Sequence, residues 1–265
     1  MALSLGHIGF NQDGSCLAIG GGLGFKIYQC DPLLPTQLGL NEPSPIHLVE
    51  GLFRCNLVGL VGSDAPFSRT KVCLYDDNRK TTIGEMTFRT MVRGIRLRRD
   101  RIVVILDHKI YVYNSTNLVV IDHIETIANP FGICAISVYA QNVLACPGIQ
   151  PGNVRIEIYD APATSKIIPA HTSPIHALAL NSDGTRLATA SEQGTLIRTW
   201  NTSTGLILQE LRRGSDPATI YSLNFNSTTE WLVCSSSKGT IHVFCIDGKS
   251  VSSLVLTFIV SVIRC

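Results

Sequence analysis

The sequence predicts an all-β chain assembled from WD-repeat-type β-propeller blades, and three observations predict it. Strand-like segments ending in an aromatic residue recur at Tyr28, Tyr75, Tyr113, Tyr159, Trp200 and Phe244, at intervals of 47, 38, 46, 41 and 44 residues. A period of roughly 40–45 residues is that of a four-stranded propeller blade. Turn signals recur with the strands: Phe10-Asn11-Gln12-Asp13-Gly14 and Leu180-Asn181-Ser182-Asp183-Gly184 are near-copies, and Phe225-Asn226-Ser227-Thr228 is a worn third. No stretch sustains a helical apolar period. About six blade units are recognisable.

Composition bounds the function. With 265 residues, 45% of them apolar and 16% charged, the chain has the material for a sizeable core and lacks the signature of disorder. A formal net charge of +2 excludes the broad basic field of a nucleic-acid binder, so any anion recognition is local. Nine cysteines, at 16, 30, 55, 73, 134, 146, 234, 245 and 265, include no C-x-x-C pair. They read as buried free thiols of a reducing compartment, with no spacing for zinc. The N-terminus shows no basic region followed by an apolar core, hence no secretory signal. The longest apolar run, residues 254–263, is about half of the ~20 residues a membrane span needs. No Ser-His-Asp order, paired catalytic carboxylates or metal cluster stands out, so the expectation is a binding protein, not an enzyme, with no cofactor.

Taken in order, the first blade opens on the Asn11–Gly14 turn, where Asp-Gly supplies the positive φ of a tight hairpin. Gly20-Gly21-Gly22-Leu23-Gly24 reads as a second hairpin turn, because the strand Phe25-Lys26-Ile27-Tyr28 follows it where a dinucleotide loop needs a helix. Arg96-Leu97-Arg98-Arg99-Asp100-Arg101 reads as a solvated hairpin turn before Ile102-Val103-Val104-Ile105; the competing reading is a membrane-facing patch. His176 sits within a strand and reads as structural, whereas His171 precedes that strand.

The most informative stretch is Glu210-Leu211-Arg212-Arg213-Gly214. On an extended backbone, neighbouring side chains point to opposite sides. The pair is flanked by two similar segments, Ser191-Glu192-Gln193-Gly194-Thr195 and Ser236-Ser237-Lys238-Gly239-Thr240. This predicts two anion pockets that share an Arg-Arg hinge. Arg supplies a planar fork for phosphate oxygens, and Ser and Thr donate without adding charge. Gly194 and Gly239 are expected to let the backbone approach a ligand closely. The plain alternative is surface pairing of the arginines with Glu210 and Asp216.

These residues resemble the PROPPIN family of phosphoinositide-binding propellers, and most of all its short, WIPI-type branch. The matching stretches are Leu52-Phe53-Arg54-Cys55-Asn56, Leu97 to Val104, and the run from Ala188 to Phe244, which contains Leu211-Arg212-Arg213-Gly214. The similarity covers roughly residues 5–247. It implies a first pocket of His171, Ser191, Thr195 and Arg212, and a second of Arg213, Ser236, Thr240 and His242. It implies recognition of phosphatidylinositol 3-phosphate and the 3,5-bisphosphate. The implied role is that of a cytoplasmic scaffold, peripherally bound to autophagosome-precursor, endosomal or vacuolar/lysosomal membranes. The short branch also implies an autophagy lipid-transfer protein as partner. Asn11 and Asp13 match residues linked to that contact, and they equally suit an Asx turn.

The family ring has seven blades. Here blades 1–6 occupy residues 1–247, and residues 248–265 form an atypical apolar tail. The expectation is therefore a C-terminally truncated product whose ring is incomplete. The tail has three readings: a substitute strand on an unpaired edge, a frayed end, or a membrane contact.

Overall fold

The fold comes from a computed structural model, which describes residues 5–37, 39–40, 43–63, 67–246 and 253–257. Leu5 and residues 253–257 are described as backbone only. The described residues form six four-stranded antiparallel sheets and no helix. Each sheet is a meander in which consecutive strands pair. The expected all-β fold of six propeller blades is therefore observed.

The chain divides into two compact units, residues 1–132 and 133–265. The first unit contains three sheets. They are β1 (Leu5–Phe10), β2 (Cys16–Gly21), β3 (Gly24–Cys30) and β4 (Leu33–Pro35); β5 (Ile46–Gly51), β6 (Leu57–Gly62), β7 (Lys71–Asp76) and β8 (Thr81–Thr87); and β9 (Val92–Leu97), β10 (Arg101–Leu106), β11 (Lys109–Asn114) and β12 (Val120–Glu125). The second unit contains β13 (Ala135–Ile136), β14 (Val143–Pro147), β15 (Asn153–Ile158) and β16 (Thr164–Pro169); β17 (Ile175–Leu180), β18 (Arg186–Ser191), β19 (Leu196–Asn201) and β20 (Ile207–Arg212); and β21 (Ile220–Phe225), β22 (Trp231–Ser236), β23 (Thr240–Cys245) and β24 (Ser253–Thr257).

Burial repeats from sheet to sheet. Second strands lie sandwiched between neighbours, so β6, β10 and β18 are buried at every position but the first. The third strands β11, β15 and β19 share one alternating pattern. Fourth strands are mostly exposed, and β12, β16 and β20 share one pattern with a single buried residue, Ile124, Ile168 or Leu211. The cores lie between adjacent sheets. Phe25, Ile46, Leu60 and Tyr75 join the first two, and Leu74, Ile95, Val104 and Tyr113 join the second and third. In the other unit, Val143, Ile156, Leu187 and Trp200 join one pair of sheets, and Ile197, Ile220, Leu232 and Phe244 the next. Each fully buried aliphatic or aromatic side chain of this kind contributes about 1.5–3 kcal/mol. Four of the six recurrent aromatics, Tyr75, Tyr113, Trp200 and Phe244, are thus core anchors.

The repeated turn has one construction in all three copies. The side-chain Oδ1 of Asn11, Asn181 or Asn226 accepts from the backbone N–H five residues on, at Cys16 (3.0 Å), Arg186 (2.9 Å) or Trp231 (2.9 Å). Gly14 and Gly184 take φ of 69° and 79°, as Asp-Gly predicts, and Thr229 takes 62° in the worn copy. The Gly22-Leu23 and Arg98–Asp100 segments are hairpin turns. In the second of these, Asp100 pairs with Arg98 at 3.1 Å and with Arg101 at 3.8 Å.

Part of the atypical tail is a strand: β24 pairs with β23 from Thr240↔Thr257 to Phe244↔Ser253. Residues 247–252 and 258–265 lie outside the described residues.

Candidate anion-binding site

The arginine pair stands where β20 ends. Arg212 is its last residue, cross-strand from Leu196, and its side chain is exposed. Arg213 is buried, with 7% of its surface exposed. Its backbone N–H donates to the Thr195 carbonyl at 2.9 Å. Its Nε donates to the Gly194 carbonyl at 2.9 Å, and an Nη donates to the Asp216 carbonyl. The two neighbours therefore part company, as extended-chain geometry predicts. Glu210 is engaged elsewhere, by Arg198 at 2.7 Å, and the Asp216 group that meets Arg213 is its carbonyl. The simple surface-pairing alternative is not what the fold builds.

Arg213 is bonded to the turn of the fifth sheet, yet its charge acts on the sixth. Burial first, then the Arg213 guanidinium, holds His242 below the usual histidine range. Burial raises the Cys234 thiol to about 11, with Arg213 opposing that rise. His242 Nε2 shares a hydrogen bond of 3.1 Å with Thr240 Oγ1, and its ring stacks on Phe244. Ser236 is buried, and its Oγ has no hydrogen-bond partner. A buried hydroxyl without a partner is costly, and such groups often await a water or ligand. Arg213, His242 and Thr240 are thus electrostatically or directly linked. Ser236 ends β22, which pairs with the strand that carries Thr240 and His242.

The first group is arranged differently. His171 Nε2 meets Thr189 Oγ1 at 2.9 Å, and Trp200 Nε1 donates to the same oxygen at 3.0 Å. Burial, reinforced by Arg198, lowers His171 to about 4, so its ring is neutral at pH 7. Arg198 donates to the Ala170 carbonyl at 2.6 Å and to Glu210 at 2.8 Å. Ser191 is buried at the end of β18, where its carbonyl accepts from Gly194 N–H at 2.9 Å. Thr195 is half-buried. Gly194 has φ of 60°, and a Cβ there would lie 1.8 Å from the Ala218 carbonyl, so the close approach it permits is to the chain itself.

The structure also corrects the alignment of the two copies. Ser-x-x-Gly-Thr spacing makes Thr195 and Thr240 equivalent. The register makes Thr240 the first residue of β23, whereas Thr195 stays one residue outside β19. Counting back from Trp200 and Phe244 aligns Arg198 with His242, each cross-strand from an equivalent position, Thr189 or Cys234. Arg198 and Thr189 were therefore accessible from the aromatic repeat and are missed by counting from serine.

In the first unit, Asn11 is buried and Asp13 exposed. Asn11 also donates to the Phe53 carbonyl at 3.0 Å. Asp13 accepts from Ser15 N–H at 3.0 Å and from Ser15 Oγ at 2.5 Å. Burial works against the Asp13 carboxylate, but these hydrogen bonds prevail and lower its pKa. Both residues act in the turn, and Asp13 alone presents a carboxylate to solvent.

The sequence profile of the PROPPIN family matches residues 3–254. This chain belongs to the PROPPIN family. It is 40% identical to autophagy-related protein 18e of Arabidopsis thaliana over 243 residues, covering 89% of this chain and 64% of that protein. It is 36% identical to autophagy-related protein 18 of Yarrowia lipolytica, covering 94% of this chain and 68% of the relative. The chain thus spans about two thirds of the length of these relatives. Among solved structures, Hsv2 of Kluyveromyces marxianus superposes with a TM-score of 0.81 at 28% identity, covering 92% of this chain and 77% of that one. KlAtg21, solved in complex with the coiled coil of AgAtg16, gives a TM-score of 0.79 at 29% identity, covering 94% and 82%.

Proposed function

We propose that this PROPPIN is a phosphoinositide reader that brings autophagy machinery to membranes. The ligands are phosphatidylinositol 3-phosphate and the 3,5-bisphosphate. The observation that carries this reading is the split arginine pair, one guanidinium exposed and its neighbour buried with its charge falling on His242. The first pocket uses His171, Ser191, Thr195 and Arg212, and the second Arg213, Ser236, Thr240 and His242. Burial and nearby arginines hold His171 and His242 below the usual histidine range. An arriving phosphate opposes that shift, so each ring either donates one neutral hydrogen bond or gains charge beside it. The orphan Ser236 hydroxyl supplies a further donor. Family membership and the autophagy-related names of the relatives support the cellular role. It is exercised peripherally, from the cytoplasmic side of autophagosome-precursor, endosomal or vacuolar/lysosomal membranes. Residues 1–247 supply the blades up to β23, and β24 from the atypical tail adds the fourth strand of the sixth sheet.

A scaffold needs protein partners. That KlAtg21 is solved with a coiled coil supports a second docking role for this chain. Asp13 is our candidate for a contact to an autophagy lipid-transfer protein, with Asn11 holding the turn beneath it.

Calorimetric titration with soluble short-chain phosphatidylinositol 3-phosphate tests the two-pocket arrangement. The expected stoichiometry is two for the chain and one for Arg212→Thr. A single site in the unsubstituted chain, or two in Arg212→Thr, contradicts it.

A further inference from the structure

The first unit holds a cavity of about 310 Å³ that the reading above does not use. It lies where the first and second sheets meet, and Gly6, Gly21, Gly22, His47, Ser63 and Arg69 line it. The glycine walls are fixed by packing: a Cβ on Gly6 would lie 2.7 Å from the Ile46 carbonyl. One wall of the space is therefore backbone, and His47, Ser63 and Arg69 supply the polar side chains.

His47 reaches this cavity through a bulge. In β5 the register runs Ile46↔Gly62, then Leu48↔Val61, which leaves His47 as the extra residue. A bulge re-aims the side chain it carries. The same irregularity occurs at the start of β1, β9, β17 and β21, where the extra residues are Gly6, Arg93, His176 and Tyr221. In β1 and β5, both extra residues face this one cavity.

Among the described residues that line the cavity, Arg69 carries the one formal charge, and it is positive. Burial first, then the charges of Arg69 and Arg93, holds His47 below its usual range. Arg93 is matched by Asp107 at 2.8 Å. Arg69 is exposed and, among the described residues, no ion pair includes it. A guanidinium fork, an imidazole and a hydroxyl around a backbone-walled space are the donor set of a phosphate site.

We propose that this cavity binds a phosphate monoester, with Arg69 as the charged fork and His47 and Ser63 as neutral donors. The site shares no residue with the arginine-pair pockets, so it stands or falls independently of them. A bound dianion reverses the repulsion that His47 now feels and raises its pKa.

The test follows the His47 ring by NMR in the full chain during titration with inorganic phosphate, then with glycerol 3-phosphate. A saturable His47 shift with a raised pKa is expected. Arg69→Ser weakens the binding about tenfold or more, and Ser63→Ala weakens it less. Absence of a saturable shift, or an equal affinity in Arg69→Ser, overturns the proposal. A second arm uses vesicles bearing phosphoinositide at equal phosphate. No added His47 shift identifies a soluble ester as the ligand and upholds the site; an added shift places a lipid headgroup in the cavity, which the two-pocket stoichiometry excludes, and overturns the proposal.

Discussion

At the scale of single residues, the two arginines differ in cost as well as in role. Arg213 donates to two carbonyls from a buried position. Its replacement by Thr removes charge-assisted bonds and is expected to destabilise the fold by about 2–4 kcal/mol. Arg212 is exposed, and its replacement by Thr is expected to change stability by less than about 0.5 kcal/mol; urea midpoints of the two variants check both figures. Glu50 offers a titration test. Burial raises its carboxyl to about 7, against the opposing charge of Arg96 and hydrogen bonds from Leu97 and Gln12. The folded state therefore holds this proton more tightly than the unfolded chain, and stability falls as pH rises through about 4.5 to 7. Glu50→Gln is expected to raise the melting temperature at pH 8 and to leave it unchanged at pH 4.5. His7 and His171 have the opposite sign. Burial lowers each to about 4, so their contribution is lost as pH falls from 6.5 toward 4. His171→Gln is expected to flatten the acid side of a pH–stability profile.

At the scale of elements, the blades were legible because their signals are local. An aromatic on the third strand must fill the seam to the next sheet, and an Asn that closes a turn must sit five residues before its acceptor's partner. Asn181→Ala removes that bond and is expected to cost about 1 kcal/mol. What the sequence hides is register. Ser-x-x-Gly-Thr reads the same in both copies, while one turn holds a residue more than the other. Arg198 and Thr189 escape notice for that reason, since their role depends on cross-strand position. The bulges that aim His47 and His176 are equally silent, because an extra residue in a strand leaves no mark on composition. The tail carries a β pattern but no indication of its partner. Its pairing as β24 covers the β23 edge, so deleting residues 249–265 is expected to increase aggregation, measured by light scattering at equal concentration.

At the scale of the whole molecule, the central claim is bivalent attachment to one membrane. A single headgroup site of Ser, Thr, His and one Arg is weak, whereas two on one rigid support gain apparent affinity by about 10²–10⁴. Loss of Arg212 then leaves partial binding, and loss of both arginines leaves none. Vesicle flotation measures this most directly. The account predicts that the chain floats with vesicles containing phosphatidylinositol 3-phosphate and not with vesicles lacking it. It predicts partial recovery for Arg212→Thr, and none for Arg212→Thr/Arg213→Thr under conditions where the far-ultraviolet spectrum shows that variant folded. Equal flotation of the folded double variant and the unsubstituted chain would contradict it.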